Sequence, residues 1–272
     1  MNGSRLAVSE ILDDAAEAAM RVAAPWMGLL WLCSLPLRFV QVHFAARLLE
    51  LGPRAGEYGN YLHGLAFAAT AALLPSLWAR AVFVRACGLG LREEAAPGRI
   101  TLKVPPAAFA DYVYVALLAE VLFYAGAPSL VAPPIAILLA GLAAASHPYF
   151  DRPGLLAPLR ETCSGLVHGR VLAALLLVFA VALLIVFVNL YFVFQIGLWL
   201  AGAMPGIDPT PWEALLSPDN RAFLLVLLAG AILAVEPFWI AALTVFAHKA
   251  RSRDSGEDLR LWFERLKRRQ AA

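Results

Sequence analysis

At 272 residues, with 61% of them hydrophobic and a mean hydropathy of +0.71, this chain is too apolar for a water-soluble domain, in which about half the residues are apolar. The 22 Lys+Arg nearly balance the 20 Asp+Glu, so the net charge of +2 offers no polyanion-binding face and nucleic acid is not an expected partner. The basic residues are sorted along the chain: 18 fall in alternate connections between apolar runs, against four (Arg38, Arg47, Arg54, Arg221) in the other connections or in the outer half of a span, which by the positive-inside rule predicts cytoplasmic termini.

Residues 1–21 read as a cytoplasmic amphipathic helix, with Ser9 placed to cap it, Ile11, Leu12, Ala15, Ala16 and Ala19 on one face and the carboxylates on the other. The expectation is a helix lying along the inner membrane surface. Its acidic residues stand where a signal peptide is basic, so the first span is expected to stay in the protein. That span is predicted over residues 22–44 and the second over 61–78, with a basic extension to 91. The third (107–125) and fourth (128–146) form a tight hairpin, with Pro133 and Pro134 in the first turn of the fourth, where proline is best tolerated. Residues 147–169 are cytoplasmic and broken by Pro148, Pro153 and Pro158 before a short amphipathic stretch. The fifth span, 171–203, would stand roughly 50 Å tall at 1.5 Å per residue and must tilt or protrude. After an outer loop the sixth, 222–247, leads into a basic amphipathic cytoplasmic tail, residues 250–272.

A helix needs about 20 apolar residues to cross the hydrocarbon layer. The predicted fold class is therefore all-α: a polytopic transmembrane helix bundle with six spans and both termini cytoplasmic, residues 1–272 forming a single integral membrane domain. A parallel internal repeat is suggested by Phe39-Val40-Gln41-Val42-His43-Phe44 in the first span and Phe187-Val188-Asn189-Leu190-Tyr191-Phe192 in the fifth, relating spans 1–2 to spans 5–6 around the central hairpin of spans 3–4. Each partner helix carries a proline, Pro75 and Pro237.

Ionisable residues at bilayer depth are functional candidates, because each costs several kcal/mol unless paired or hydrated. Arg38, Glu120 and Glu236 fall at similar depths in the first, third and sixth spans and are predicted to meet, Arg38 serving both carboxylates. Gln41 and Asn189 are expected to join this intramembrane polar cluster as hydrogen-bonding groups between helices, with Gln195 as a further one. In the tail, Leu259, Trp262, Phe263 and Leu266 share one helical face, and Arg265, Lys267 and Arg268 lie opposite, a pattern suited to a membrane surface with an anionic inner leaflet.

No His, Cys or carboxylate spacing suits a metal, and no cofactor-binding motif appears. The His-Glu-x-x-His zinc motif, the Gly-x-Ser-x-Gly elbow and the Gly-rich phosphate loop are all missing, so no enzyme activity is expected. Cys33, Cys87 and Cys163 are expected to be free thiols.

A cytoplasmic amphipathic stretch, a long span and a proline-bearing return helix are used twice around a central hairpin. With the pattern running from Leu159-Arg160-Glu161 to Gly169-Arg170, this arrangement resembles bacterial six-helix integral membrane proteins, among them the membrane domain attached to some glycerophosphodiester phosphodiesterases. That resemblance implies a non-catalytic membrane module. The first functional expectation is a non-enzymatic, multi-pass inner-membrane protein that acts as scaffold or regulatory subunit for a membrane or cytoplasmic protein partner. The second is a small transporter or channel that uses Arg38, Glu120 and Glu236.

Overall fold

The computed structural model describes residues 7–20, 24–91, 104–126, 131–149, 156–204 and 208–255. Among these residues the chain is helical, with no strand. The helices are α1 (Val8–Ala18), α2 (Ala24–Leu51), α3 (Gly59–Leu91), α4 (Pro106–Ala125), α5 (Ala132–Ser146), α6 (Leu156–Gly165), α7 (Gly169–Ala203), α8 (Thr210–Leu215) and α9 (Arg221–Ser255). Five stretches, Ala24–Leu51, Gly56–Gly88, Pro106–Ala125, Leu156–Ala203 and Arg221–Arg253, are long and apolar enough to cross a membrane.

α5, the predicted fourth span, is as apolar as the others but has 15 residues, about 22 Å of helix. Pro133 and Pro134 lie in its first turn and mark its start. The predicted second span and its basic extension form one continuous helix, α3, which Pro75 does not interrupt.

Helix α9 is the hub of the bundle, touching α1, α2, α3, α5 and α7. Its approach to α5 is close because Gly141 has no side chain: a Cβ there would run into Leu243 and come within 3.1 Å of the Trp239 ring nitrogen. Small residues at such crossings let helix backbones pack without a hydrophobic driving force. Ala143, Ala144 and Ala145 continue that narrow contact, all of them buried.

Helix α1 is amphipathic, as its spacing predicts, and it packs against α9. Ile11 and Ala19 are fully buried, and Asp14 pairs with Lys249 Nζ at 2.6 Å. Ser9 does not cap it: the helix starts at Val8, Ala7 holds the capping position, and no side chain bonds to the first turn. The apolar stripe of α1 finds protein because α9 continues past its own apolar stretch as far as Ser255 and offers a wall for it. Most of the predicted tail, from residue 256 on, lies outside the described residues, including Trp262, Phe263, Arg265, Lys267 and Arg268.

Proline inside a helix has no N–H, so the carbonyl four residues earlier loses its partner. For Pro237 that carbonyl belongs to Leu233, and the indole Nε1 of Trp31 on α2 donates to it at 2.9 Å. One turn further along α2, Ser34 and Ser76 of α3 pair through their hydroxyls at 2.9 Å, both fully buried. The proline thus turns a backbone defect into a link between helices. Trp31→Phe should lower stability by about 1–3 kcal/mol, the cost of an orphaned buried polar group. In a Pro237→Ala background, which restores the N–H, the same change should cost much less. Unfolding of the four proteins in mild detergent measures the coupling, and equal losses in both backgrounds would refute the link.

Just past α5, His147 is 1% exposed and stacks at 5.5 Å from the Tyr112 ring. Its Nδ1–H donates to the Ala144 carbonyl at 3.1 Å, while Nε2 has no partner. Burial, with a smaller push from Arg85, holds this imidazole down at about 4 against the opposing effect of the Ala144 hydrogen bond. Because the folded state prefers the neutral ring, its contribution is complete above the unfolded value near 6.5 and is lost as pH falls from there to about 4. The loss should reach about 3 kcal/mol. His147→Asn, which keeps a donor for Ala144, should flatten the stability profile between pH 6.5 and 4, and an unchanged slope would assign that acid sensitivity elsewhere.

Candidate functional site

The polar cluster is built from four helices, and three of its members are ionisable groups predicted to meet. The Glu236 carboxylate, 3% exposed, receives Arg38 in fork geometry, with Nε to Oε2 at 3.1 Å and Nη2 to Oε1 at 2.8 Å. Two parallel N–H bonds of this kind fix orientation as well as charge. Arg38 Nη1 also donates to Gln41 Oε1 at 2.6 Å, and Gln41 Nε2 donates to Glu120 Oε1 at 2.7 Å. The spacing of Arg38 and Gln41, three residues apart, puts both on one face of α2.

The fourth helix contributes a residue that the sequence placed elsewhere. Arg80 reads as part of a basic cytoplasmic extension, yet it is buried and donates from Nε to Glu236 Oε1 at 2.8 Å. The expected arrangement is therefore reversed: one carboxylate serves two arginines, and Arg38 reaches Glu120 only through Gln41. The signal that could have found Arg80 is its position five residues after Pro75, in a run where Leu77, Ala79, Ala81, Val82, Phe83 and Val84 leave no polar face for a surface helix. The basic-residue count on its side of the bundle drops accordingly by one.

Asn189 does not join the cluster. It is exposed, a quarter-turn away from the line of Leu172, Leu175, Phe179 and Leu183 by which α7 meets its neighbours. The repeat would have made it the counterpart of Gln41, so the two copies place their amides differently. Gln195 bonds to the Leu216 carbonyl at 2.9 Å, fastening the far end of α7 to the following turn.

The cluster forms one wall of a cavity of about 500 Å³. Ala45 of α2, Ala119 of α4, Ala140 of α5, Leu183 of α7 and Trp239 of α9 mark its apolar sides, and Arg221 stands at the far rim. Arg221 is paired with Glu50, which also accepts Arg47 Nη1 at 2.8 Å, so two rim arginines share one carboxylate. An apolar cavity of this size with a few converging polar groups is the usual form of a small-molecule site.

Hydrogen bonding inside the cluster is incomplete. Among the described residues Arg80 donates only through Nε, and its Nη2 is buried without a partner. The fully buried Tyr112 hydroxyl lies beside Arg80 and the Tyr124 hydroxyl beside Gln41, neither in good hydrogen-bond geometry. Of these three side chains only Arg80 lines the cavity; the two tyrosines lie behind its polar wall. No group of His, Cys, Asp and Glu suited to a metal ion occurs among the described residues, and the described cysteines are free.

Fold and cluster together define an all-α bundle of the membrane-spanning class with a buried ion network at its centre. No protein-family model, curated protein or solved structure matches the chain.

Breaking the network on one side should be worse than dismantling it in a balanced way. Glu236→Gln leaves two arginines facing a neutral amide and should cost about 3–5 kcal/mol. Adding Arg80→Met to Glu236→Gln restores the charge balance and should recover part of that loss. Unfolding midpoints of the single and double variants decide the matter, and a double variant less stable than the single one would contradict it.

Proposed function

We propose that this is a small multi-pass membrane protein that binds an amphipathic molecule within the bilayer, as a transporter or lipid-handling protein, with Arg38, Gln41, Arg80, Glu120 and Glu236 receiving the polar end. The observation that carries this reading is the cavity of about 500 Å³ with apolar walls and one polar wall. A network kept only to hold helices together has no need of an adjoining concave space of this size, whereas concave apolar sites with a few converging polar groups are the usual form of ligand sites. The cavity favours the transporter reading over the scaffold reading.

In the proposed arrangement α5 acts as the fourth, short span and brings the total to six, both termini are cytoplasmic, and the protein sits in a bacterial inner membrane. The sorting of basic residues supports that orientation, and a thin region of bilayer would accommodate the 15-residue helix. In intact cells an impermeant thiol reagent should label Ser217→Cys from outside and leave Ser255→Cys untouched. The reverse pattern would invert the topology.

Occupancy is tested with a photoactivatable single-chain alcohol, a diazirine-bearing dodecanol, added to protein in lipid nanodiscs. Labelled residues should include Phe179, Leu183 and Trp239. Ala140→Phe, which places a ring in the void, should reduce labelling there at least tenfold while thermal stability is kept. Equal labelling of the wild type and Ala140→Phe would rule the cavity out as the binding place.

A further inference from the structure

Glu120 is the least compensated charge of the network. Both arginines are committed to Glu236, and Glu120 has Gln41 as its hydrogen-bond partner, with no ion pair among the described residues. The groups that face it are Arg38 and Gln41 from α2, Arg80 from α3, Tyr124 from its own helix and Glu236 from α9. Helix α5 offers it only Ala136, Ile137 and Ala140 along the cavity. His147, Arg160 and Glu161 belong to the elements packed at the other, Tyr112 end of α4.

The charge count then depends on Glu120. With Glu120 ionised, Arg38 and Arg80 are matched by Glu236 and Glu120, and the wall is neutral. With Glu120 protonated, the wall carries one uncompensated positive charge inside an apolar enclosure, which is costly unless an anion joins it. Arg38 and Arg80 both line the cavity and share Glu236 as their ion-pair partner, so the charge that an anion would balance sits in the wall itself, with the Arg80 terminal nitrogens beside the Tyr112 hydroxyl. Both Arg80 and Glu120 line the cavity.

From this we infer that the cavity takes a single-chain amphiphile with a monoanionic headgroup together with one proton on Glu120, the headgroup seated on Arg80 and the chain along the wall of Phe179, Leu183 and Trp239. Binding adds one negative charge from the ligand and one positive charge from the proton, so the wall is neutral before and after. In a transporter such a site couples anion movement to proton movement in the same direction. The inference rests on the cavity being a binding site and deepens that reading.

The experiment compares two photoactivatable probes of equal chain length in nanodiscs, a diazirine-bearing dodecyl sulfonate, whose headgroup stays anionic at every pH used, and the corresponding dodecanol. The sulfonate should label Phe179, Leu183 and Trp239 more strongly as pH falls, its apparent affinity rising by up to tenfold per pH unit, the limit for uptake of one proton. Labelling by dodecanol should not change with pH. Glu120→Gln fixes the protonated charge state and should bind the sulfonate tightly and independently of pH, whereas Arg80→Met should lose the preference for sulfonate over alcohol. If Glu120→Gln does not accumulate as folded protein, the pH profiles of the two probes on the wild type carry the test. A wild-type sulfonate profile without pH dependence, or one that persists in Glu120→Gln, overturns the coupling. Cavity labelling by the alcohol alone leaves the amphiphile site standing and overturns the anion inference, and labelling by neither probe overturns both.

Discussion

The rest of this bundle depends on one carboxylate holding two arginines in a place that water scarcely reaches. Charges buried in an apolar medium are costly singly and strongly attractive in pairs, so the Glu236 site favours only arrangements in which Arg38 and Arg80 both reach it. Glu236 is on α9, Arg38 on α2 and Arg80 on α3. Satisfying one side chain therefore fixes three helices at a common level.

The neighbouring links sharpen that constraint. Trp31, Ser34, Arg38 and Gln41 follow one another at helical spacing down a single stripe of α2, and each finds a partner on another helix or in the network. Pro237 stands beside Glu236 and leaves free the Leu233 carbonyl that Trp31 takes. In water a helix is oriented by its apolar face. Here the surroundings are apolar on every side, and α2 is oriented by its polar stripe.

Helix α7 is held differently. It buries Leu172 and Leu175, meets α9 through Phe179, and stays largely exposed along the rest of its length, with Leu177, Val181, Leu184, Phe192 and Trp199 among its outward residues. Aromatic contact between Phe179 and Trp239 at 4.7 Å keeps it against the bundle. Further along, α7 meets α9 again, with Leu190 beside Gly230 and with Tyr191 and Phe194 against Phe223, and the cavity lies alongside these contacts with Leu183 in its wall. Closely packed charge and open apolar space thus adjoin because α2, α3 and α9 are drawn together by ions while α7 is not.

The sequence by itself determined the class of fold and most helix positions, since the length and hydropathy of each run depend only on local composition. It also singled out Arg38, Gln41, Glu120 and Glu236, because a charge or amide at bilayer depth stands out in an apolar run whatever it touches. Tertiary structure decided the pairings. Arg80 looked like an inside-facing cation because it follows an apolar run, and only the packing of α3 against α9 turns it into a ligand of Glu236. Asn189 looked equivalent to Gln41 because sequence gives depth along a helix but not rotation about it, and a rotation of a quarter-turn takes its amide away from the network. The cavity was not legible at all: a void is the space left between helices, and no residue encodes it alone.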